Sequence, residues 1–157
     1  MTEKKNEEEL LQRAMNLCST REYCTGDIVA KIEQWGENDE VVIRKIIERL
    51  TAEKFIDDER YCRAFALDHF RYQKWGKVKI SAALRIKRIP SQAIASGLAS
   101  IENAEYMYAL RIIIDTHRKS IKAKNRYDLK NKLLRHALTK GFESHLVYEA
   151  INNLFEE

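Results

Sequence analysis

The chain has 157 residues, with 28 Lys and Arg against 24 Asp and Glu, and its apolar and charged shares are 45% and 33%. Five Gly and one Pro are too few for the turns of an all-β fold, so the composition favours helices. Apolar runs are short, as in Ile112-Ile113-Ile114, and the polar start Met1 to Glu9 lacks a signal core, so no membrane span and a cytoplasmic location are expected.

Hydrophobic periodicity predicts nine helices, over about 6–18, 26–35, 39–52, 57–73, 77–87, 91–101, 103–118, 126–139 and 144–155. Val42, Ile43, Ile46, Ile47 and Leu50 form one stripe at spacings of three and four, and Ile28 and Ile32 form another. Thr25, Asn38, Asp57 and Ser91 are the expected N-caps. Gly36 and Gly141 suit left-handed helix ends. Arg88 stands at the equivalent place between them, where a β-carbon makes that turn costlier. Pro90 is expected to set the turn there instead.

The helices fall into three sets of three. Each set ends on an apolar triplet with the spacing i, i+4, i+7: Ile43, Ile47 and Leu50; Ile94, Leu98 and Ile101; Val147, Ile151 and Leu154. Gly36, Arg88 and Gly141 precede these triplets, at offsets of about fifty residues. An all-α, elongated tandem array of three three-helix, helix-turn-helix-like repeats follows, at 1–56, 57–101 and 102–157. Stacking such units extends a core that each alone keeps thin.

Charge is uneven along this array. Residues 1–56 carry 9 basic and 12 acidic side chains, residues 57–100 carry 9 and 4, and residues 101–157 carry 10 and 8. The run from Arg71 to Arg88 holds seven bases and no acid: Arg71, Lys74, Lys77, Lys79, Arg85, Lys87 and Arg88. Such a run suits a polyanionic or acidic partner, and these seven are the candidate contact surface. Phe70, Tyr72 and Trp75 lie among them, a pattern that stacks on bases or anchors a protein interface, although Trp75 also reads as a core plug. A further basic run, Arg118 to Arg126, is the reserve surface. Catalytic chemistry is not indicated, and neither a metal nor a cofactor is expected. His69, His117, His136 and His145 lack metal-ligand spacing, and Cys18, Cys24 and Cys62 are odd in number without a Cys-x-x-Cys pair. Asp57-Asp58-Glu59 reads as a helix cap rather than a metal site.

The run Phe55-Ile-Asp-Asp-Glu-Arg-Tyr-Cys-Arg-Ala-Phe65, then Gly76 and Ile80-Ser-Ala-Ala-Leu-Arg-Ile-Lys-Arg-Ile89, resembles the signature of the RecX regulators of RecA. The first unit is similar through Arg21-Glu-Tyr-Cys-Thr25, Ile28, Lys31-Ile32 and Gly36. The third is looser, through Lys132-Leu-Leu-Arg135, Lys140-Gly-Phe142 and Val147-Tyr-Glu-Ala-Ile151. Cys24 stands where that family has Ser, Asp27-Ile28 where it has Glu-Leu, Cys62 where it has Ala and Arg88 where it has Gly. The resemblance implies three-helix repeats and a bacterial cytoplasmic protein that binds RecA, lodging in the groove of the RecA–DNA filament; a monomer is expected. There it would lower ATP hydrolysis, strand exchange and coprotease activity, and so modulate homologous recombination, DNA repair and the SOS response. Ile56, Asp57, Asp58, Arg60 and Tyr61 carry the family motif and are expected to be structural. A stand-alone DNA-binding module with direct DNA contact, and an unrelated helical scaffold, remain the alternatives.

Overall fold

The computed structural model describes residues 2–156, with side chains from residue 6 onward. Among these residues nine helices occur and no strand: α1 (Thr2–Cys18), α2 (Thr25–Gln34), α3 (Glu40–Ala52), α4 (Asp58–Gln73), α5 (Lys77–Ile86), α6 (Ser91–Ala99), α7 (Asn103–Ser120), α8 (Arg126–Thr139) and α9 (Ser144–Glu156). Apart from the start of α1, the predicted boundaries hold to within two residues.

Three predicted N-caps shift by one residue, from Thr25 to Cys24, from Asn38 to Asp39 and from Ser91 to Pro90. Cys24 caps α2 with extended backbone, because the Thr25 N–H is drawn to the Asp58 carboxylate at 2.8 Å. Asp39, not Asn38, caps α3 and accepts from the Val41 N–H at 2.9 Å. Pro90 precedes α6 with φ −58° and ψ 142°, leaving Ser91 as the first helical residue. Asp57 caps α4 as predicted, accepting from the Arg60 N–H at 3.1 Å. The turn before Pro90 is a correction. Arg88 itself takes the left-handed conformation, with φ 61°, beside φ 105° at Gly36 and 97° at Gly141. The three equivalent positions therefore share a positive φ, and the arginine bears a strain of about 1 kcal/mol.

Packing runs within successive groups: α1 with α2 and α3, α4 with α5 and α6, and α7 with α8 and α9. The terminal triplets point inward as their spacing requires. Leu50, Val147 and Ile151 are fully buried, and Ile43, Ile94 and Ile101 nearly so. The buried side chains form two clusters rather than three. One, from Leu10 to Ile56, belongs to α1–α3 and the segment after it. The other joins α4–α9 through Phe70, Tyr106 and Phe142, whose ring centroids lie 5.6 and 5.0 Å apart in sequence. The accessible surface of 10269 Å² for 18.5 kDa exceeds by about a quarter the value expected of a compact monomer. The array is therefore extended.

The middle helices of the groups meet end to end. The Gly76 N–H donates to the Lys140 carbonyl at 2.8 Å and the Val78 N–H to the Gly141 carbonyl at 2.9 Å. The free N–H groups at the start of α5 are thus satisfied by carbonyls of the turn that closes α8. Glycine is required there: a Cβ on Gly76 would stand 2.3 Å from the Gly141 carbonyl carbon. The first turn of α2 meets the end of α5 in the same sense, since a Cβ on Gly26 would lie 2.6 Å from the Lys87 carbonyl oxygen.

Candidate partner-binding surface

The motif residues sit where the first group of helices meets the second. Ile56 is buried in the α1–α3 core. Asp57 caps α4 and Asp58 reaches across to the start of α2. The Arg60 Nε donates to Glu22 at 2.8 Å, and its Nη2 donates to the Lys54 carbonyl at 3.2 Å, closing the end of α3. Tyr61 lies beneath Lys87, whose Nζ is 5.6 Å from the ring centroid. Lys87 in turn donates to Asp27 of α2 at 2.9 Å. Burial works to raise the Asp27 carboxyl, but hydrogen bonds from Lys87 and Cys24 outweigh it and hold the group below its ordinary value. Burial likewise opposes the charge on Lys87, and its bonds to Asp27 and Tyr61 raise it overall.

The seven candidate bases divide between the two joints. Arg71, Lys74, Lys77 and Lys79 flank the joint of the second and third groups. Arg85, Lys87 and Arg88 flank the other, about 15 Å away along α5. Several are already engaged. Arg71 pairs with Glu105 of α7 at 3.1 Å, and Lys87 is held by Asp27. Lys77 lies 4.8 Å over the Tyr106 ring, and its N–H donates to the Tyr106 hydroxyl at 2.9 Å. Lys79 lies 4.6 Å over Trp75. Lys74, at the left-handed end of α4, folds back onto the Arg71 carbonyl at 3.3 Å.

The aromatics among these bases are also arranged differently from the expectation of a base-stacking platform. Tyr61, Phe65, His69 and Trp75 form one ladder, with centroids 5.9, 3.8 and 4.5 Å apart. Lys87 covers one end and Lys79 the other, so the ring faces are occupied. Phe70 is in the core, and Trp75 is half-buried at the joint. Tyr72 alone of the three predicted aromatics stands free, at 82% exposure.

Two surfaces escaped the sequence reading. Tyr127 is 77% exposed beside the basic run 118–126. Tyr108 and Ile112, on successive turns of α7, are 59% and 40% exposed over a cavity of about 340 Å³. A signal for the second was present: no helix hides all of Ile112, Ile113 and Ile114 on one face. Ile113 and Ile114 are buried, and Ile112 is the one left out.

Cys24 and Cys62 are buried and Cys18 is partly so, all three as free thiols. Burial pushes the Cys24 and Cys62 thiols up to about 11, leaving them protonated at neutral pH. Among the described residues no group of three or more His, Cys, Asp or Glu could hold a metal. No helix among them is long and apolar enough to cross a membrane.

These features define an all-helical repeat protein whose conspicuous polar chemistry is concentrated at its joints. Residues 57–98 match the family model described as RecX, second three-helix domain. A regulatory protein RecX from Mycobacterium sp. (strain KMS) is 29% identical over 119 residues, covering 75% of this chain and 64% of that protein. The RecX of Prosthecochloris aestuarii is 27% identical over 145 residues and 92% of both chains. That of Clostridium acetobutylicum is 32% identical, over 77% of this chain and 58% of its own. Two solved structures share the fold: a regulatory protein RecX at TM-score 0.86 and 20% identity, covering 97% of this chain and 74% of that one, and RecX from Lactobacillus salivarius at 0.85 and 19%, covering 98% and 99%. The chain belongs to the RecX family of regulatory proteins.

Proposed function

We propose that this chain binds RecA, in the groove of the RecA–DNA filament, and restrains its ATPase, strand-exchange and coprotease activities. In this reading it works as a cytoplasmic monomer without a cofactor, built of repeats at 1–56, 57–101 and 102–157. The observation that carries the reading is the match of residues 57–98 to the second RecX domain, a stretch that takes in the Ile56-to-Tyr61 motif from Asp57 onward and all seven bases. The motif residues act as the joint, and the bases on either side of it are the contact surface. Occupying the groove favours whichever filament state best accommodates the array, so regulation needs no active site. The test adds purified chain to RecA on single-stranded DNA with ATP. Hydrolysis and strand exchange should both fall, and unchanged rates at saturating chain refute the reading. Replacing Lys74, Arg85 and Arg88 together by Glu should weaken the effect without changing helicity.

Direct contact with DNA is a second reading, supported by the bases from Arg118 to Arg126 and the exposed Tyr127 beside them. It requires binding to DNA without RecA, with an affinity that falls steeply as salt rises. A flat salt dependence counts against it.

A further inference from the structure

The cavity between the end of α4 and the middle of α7 has an apolar floor and a polar rim. Phe70 and Ile113 are buried at its base, Ala109 lines it, and Tyr108 and Ile112 form a wall that is largely open to solvent. At about 340 Å³ it has room for bulky apolar side chains. The rim carries Arg71, Lys74 and Glu105. Glu105 accepts from the Arg71 guanidinium at 3.1 and 3.4 Å, which neutralises that base and fixes its position. Lys74 is then the one rim charge among these three without a carboxylate partner.

That combination selects its occupant. A phosphate backbone would meet an apolar floor and the Glu105 carboxylate, and would gain a single cation. A protein segment offering a Leu, Ile or Phe side chain next to one carboxylate would bury the exposed apolar surface of Tyr108 and Ile112 above the Phe70 and Ile113 floor, and pair the carboxylate with Lys74. We infer that this cavity is the anchor site of the protein partner, receiving an apolar side chain from an acid-flanked segment. The inference deepens the proposal above and rests on its identification of the partner. It assigns the binding energy to α4 and α7 at the second joint, outside most of the basic surface, with the bases contributing orientation.

The test measures affinity of the full chain, labelled at its N-terminus, for RecA filaments on single-stranded DNA and for the bare DNA. The variants are Ile112→Glu, Tyr108→Ala, Lys74→Glu and, as a control of similar exposure outside the cavity, Tyr148→Ala. Ile112→Glu should weaken filament binding about tenfold or more, the effect of losing a buried anchor. Tyr108→Ala should weaken it severalfold and Tyr148→Ala less than twofold, with binding to bare DNA unchanged throughout. Lys74→Glu should weaken it and flatten its salt dependence. Tyr108 is exposed enough that its truncation reads the site even where Ile112→Glu disturbs folding. If the parent chain binds filaments and both α7 variants match it, this inference fails alone. If the parent does not bind, both proposals fail. Equal losses on bare DNA would make the occupant nucleic acid, and a parent dimer dissolved by Ile112→Glu would make it a second copy; either result overturns the inference.

Discussion

Replacing Gly76 by Ala tests the joint between the second and third groups. The backbone of Gly76 is ordinary, with φ −79° and ψ 167°, so alanine meets no conformational penalty there. Its Cβ would nevertheless lie 2.3 Å from the Gly141 carbonyl carbon and 2.4 Å from the Phe142 nitrogen. Both are backbone atoms, and no rotamer change relieves the overlap. The end of α8 must move away by about an ångström to reach ordinary contact, which breaks two inter-helix hydrogen bonds worth about 1 kcal/mol each. It also loosens Tyr106 against Phe142, and strain of this kind costs about 1–3 kcal/mol. The expected loss is about 3–5 kcal/mol, a large part of a typical domain's stability. Gly36→Ala is the comparison. That residue has φ 105° and open space around the missing Cβ, so it loses only about 1 kcal/mol to the left-handed backbone. Urea titrations followed by circular dichroism and by the combined fluorescence of Trp35 and Trp75 would report both. Equal losses for the two variants, or a loss under about 1 kcal/mol for Gly76→Ala, would refute the account of the joint.

Two further outcomes follow from the joints. Asp27 has a depressed pKa in the folded chain, so its pairing with Lys87 stabilises at pH values above the unfolded carboxyl pKa of about 3.9 and is lost as pH falls through the folded value. Asp27→Asn should therefore melt below the parent near neutral pH, by about 1 kcal/mol or less for a partly exposed pair. The gap should close below about pH 4, whereas a gap that persists there would point to a cause other than charge. Tyr106→Phe keeps the buried ring but strips partners from the Lys77 N–H and from Glu143, to which the hydroxyl donates. Burial and that carboxylate push the hydroxyl far up, so it stays a donor at all ordinary pH. Denaturant unfolding should show a loss of about 1–3 kcal/mol; a loss under about 0.5 kcal/mol would mean that water replaces the hydroxyl.

Sequence periodicity revealed the helices because each group buries its own stripe, and a stripe such as Ile43, Ile47 and Leu50 is local information. The equivalence of Gly36, Arg88 and Gly141 was legible for the same reason, although the propensity of arginine pointed away from the left-handed turn it adopts. The surface was less legible. Arg71 finds its carboxylate 34 residues away and Lys87 finds its own 60 residues away. A run of seven bases read from the chain cannot show which are neutralised by such distant partners. Nor could spacing reveal that His69 and Trp75 close a ladder whose faces are spent on each other and on lysines. The exposed wall at Tyr108 and Ile112 was hidden because a helix pattern marks what is buried, and these two residues lie at its margin.

The end-to-end meeting of α2, α5 and α8 has an electrical consequence. Each helix carries partial positive charge at its first turn and partial negative charge at its last. At both joints a first turn lies against the negative, C-terminal end of the helix in the following group, so the inner poles cancel. Two poles remain: a negative one at the end of α2, within the acidic first group, and a positive one at the start of α8, beside the basic run ending at Arg126. Backbone and side chains thus add to one vector along the array. Near a polyanion the molecule would turn its third group inward before any contact forms, and added salt would scramble that alignment as well as weaken attraction.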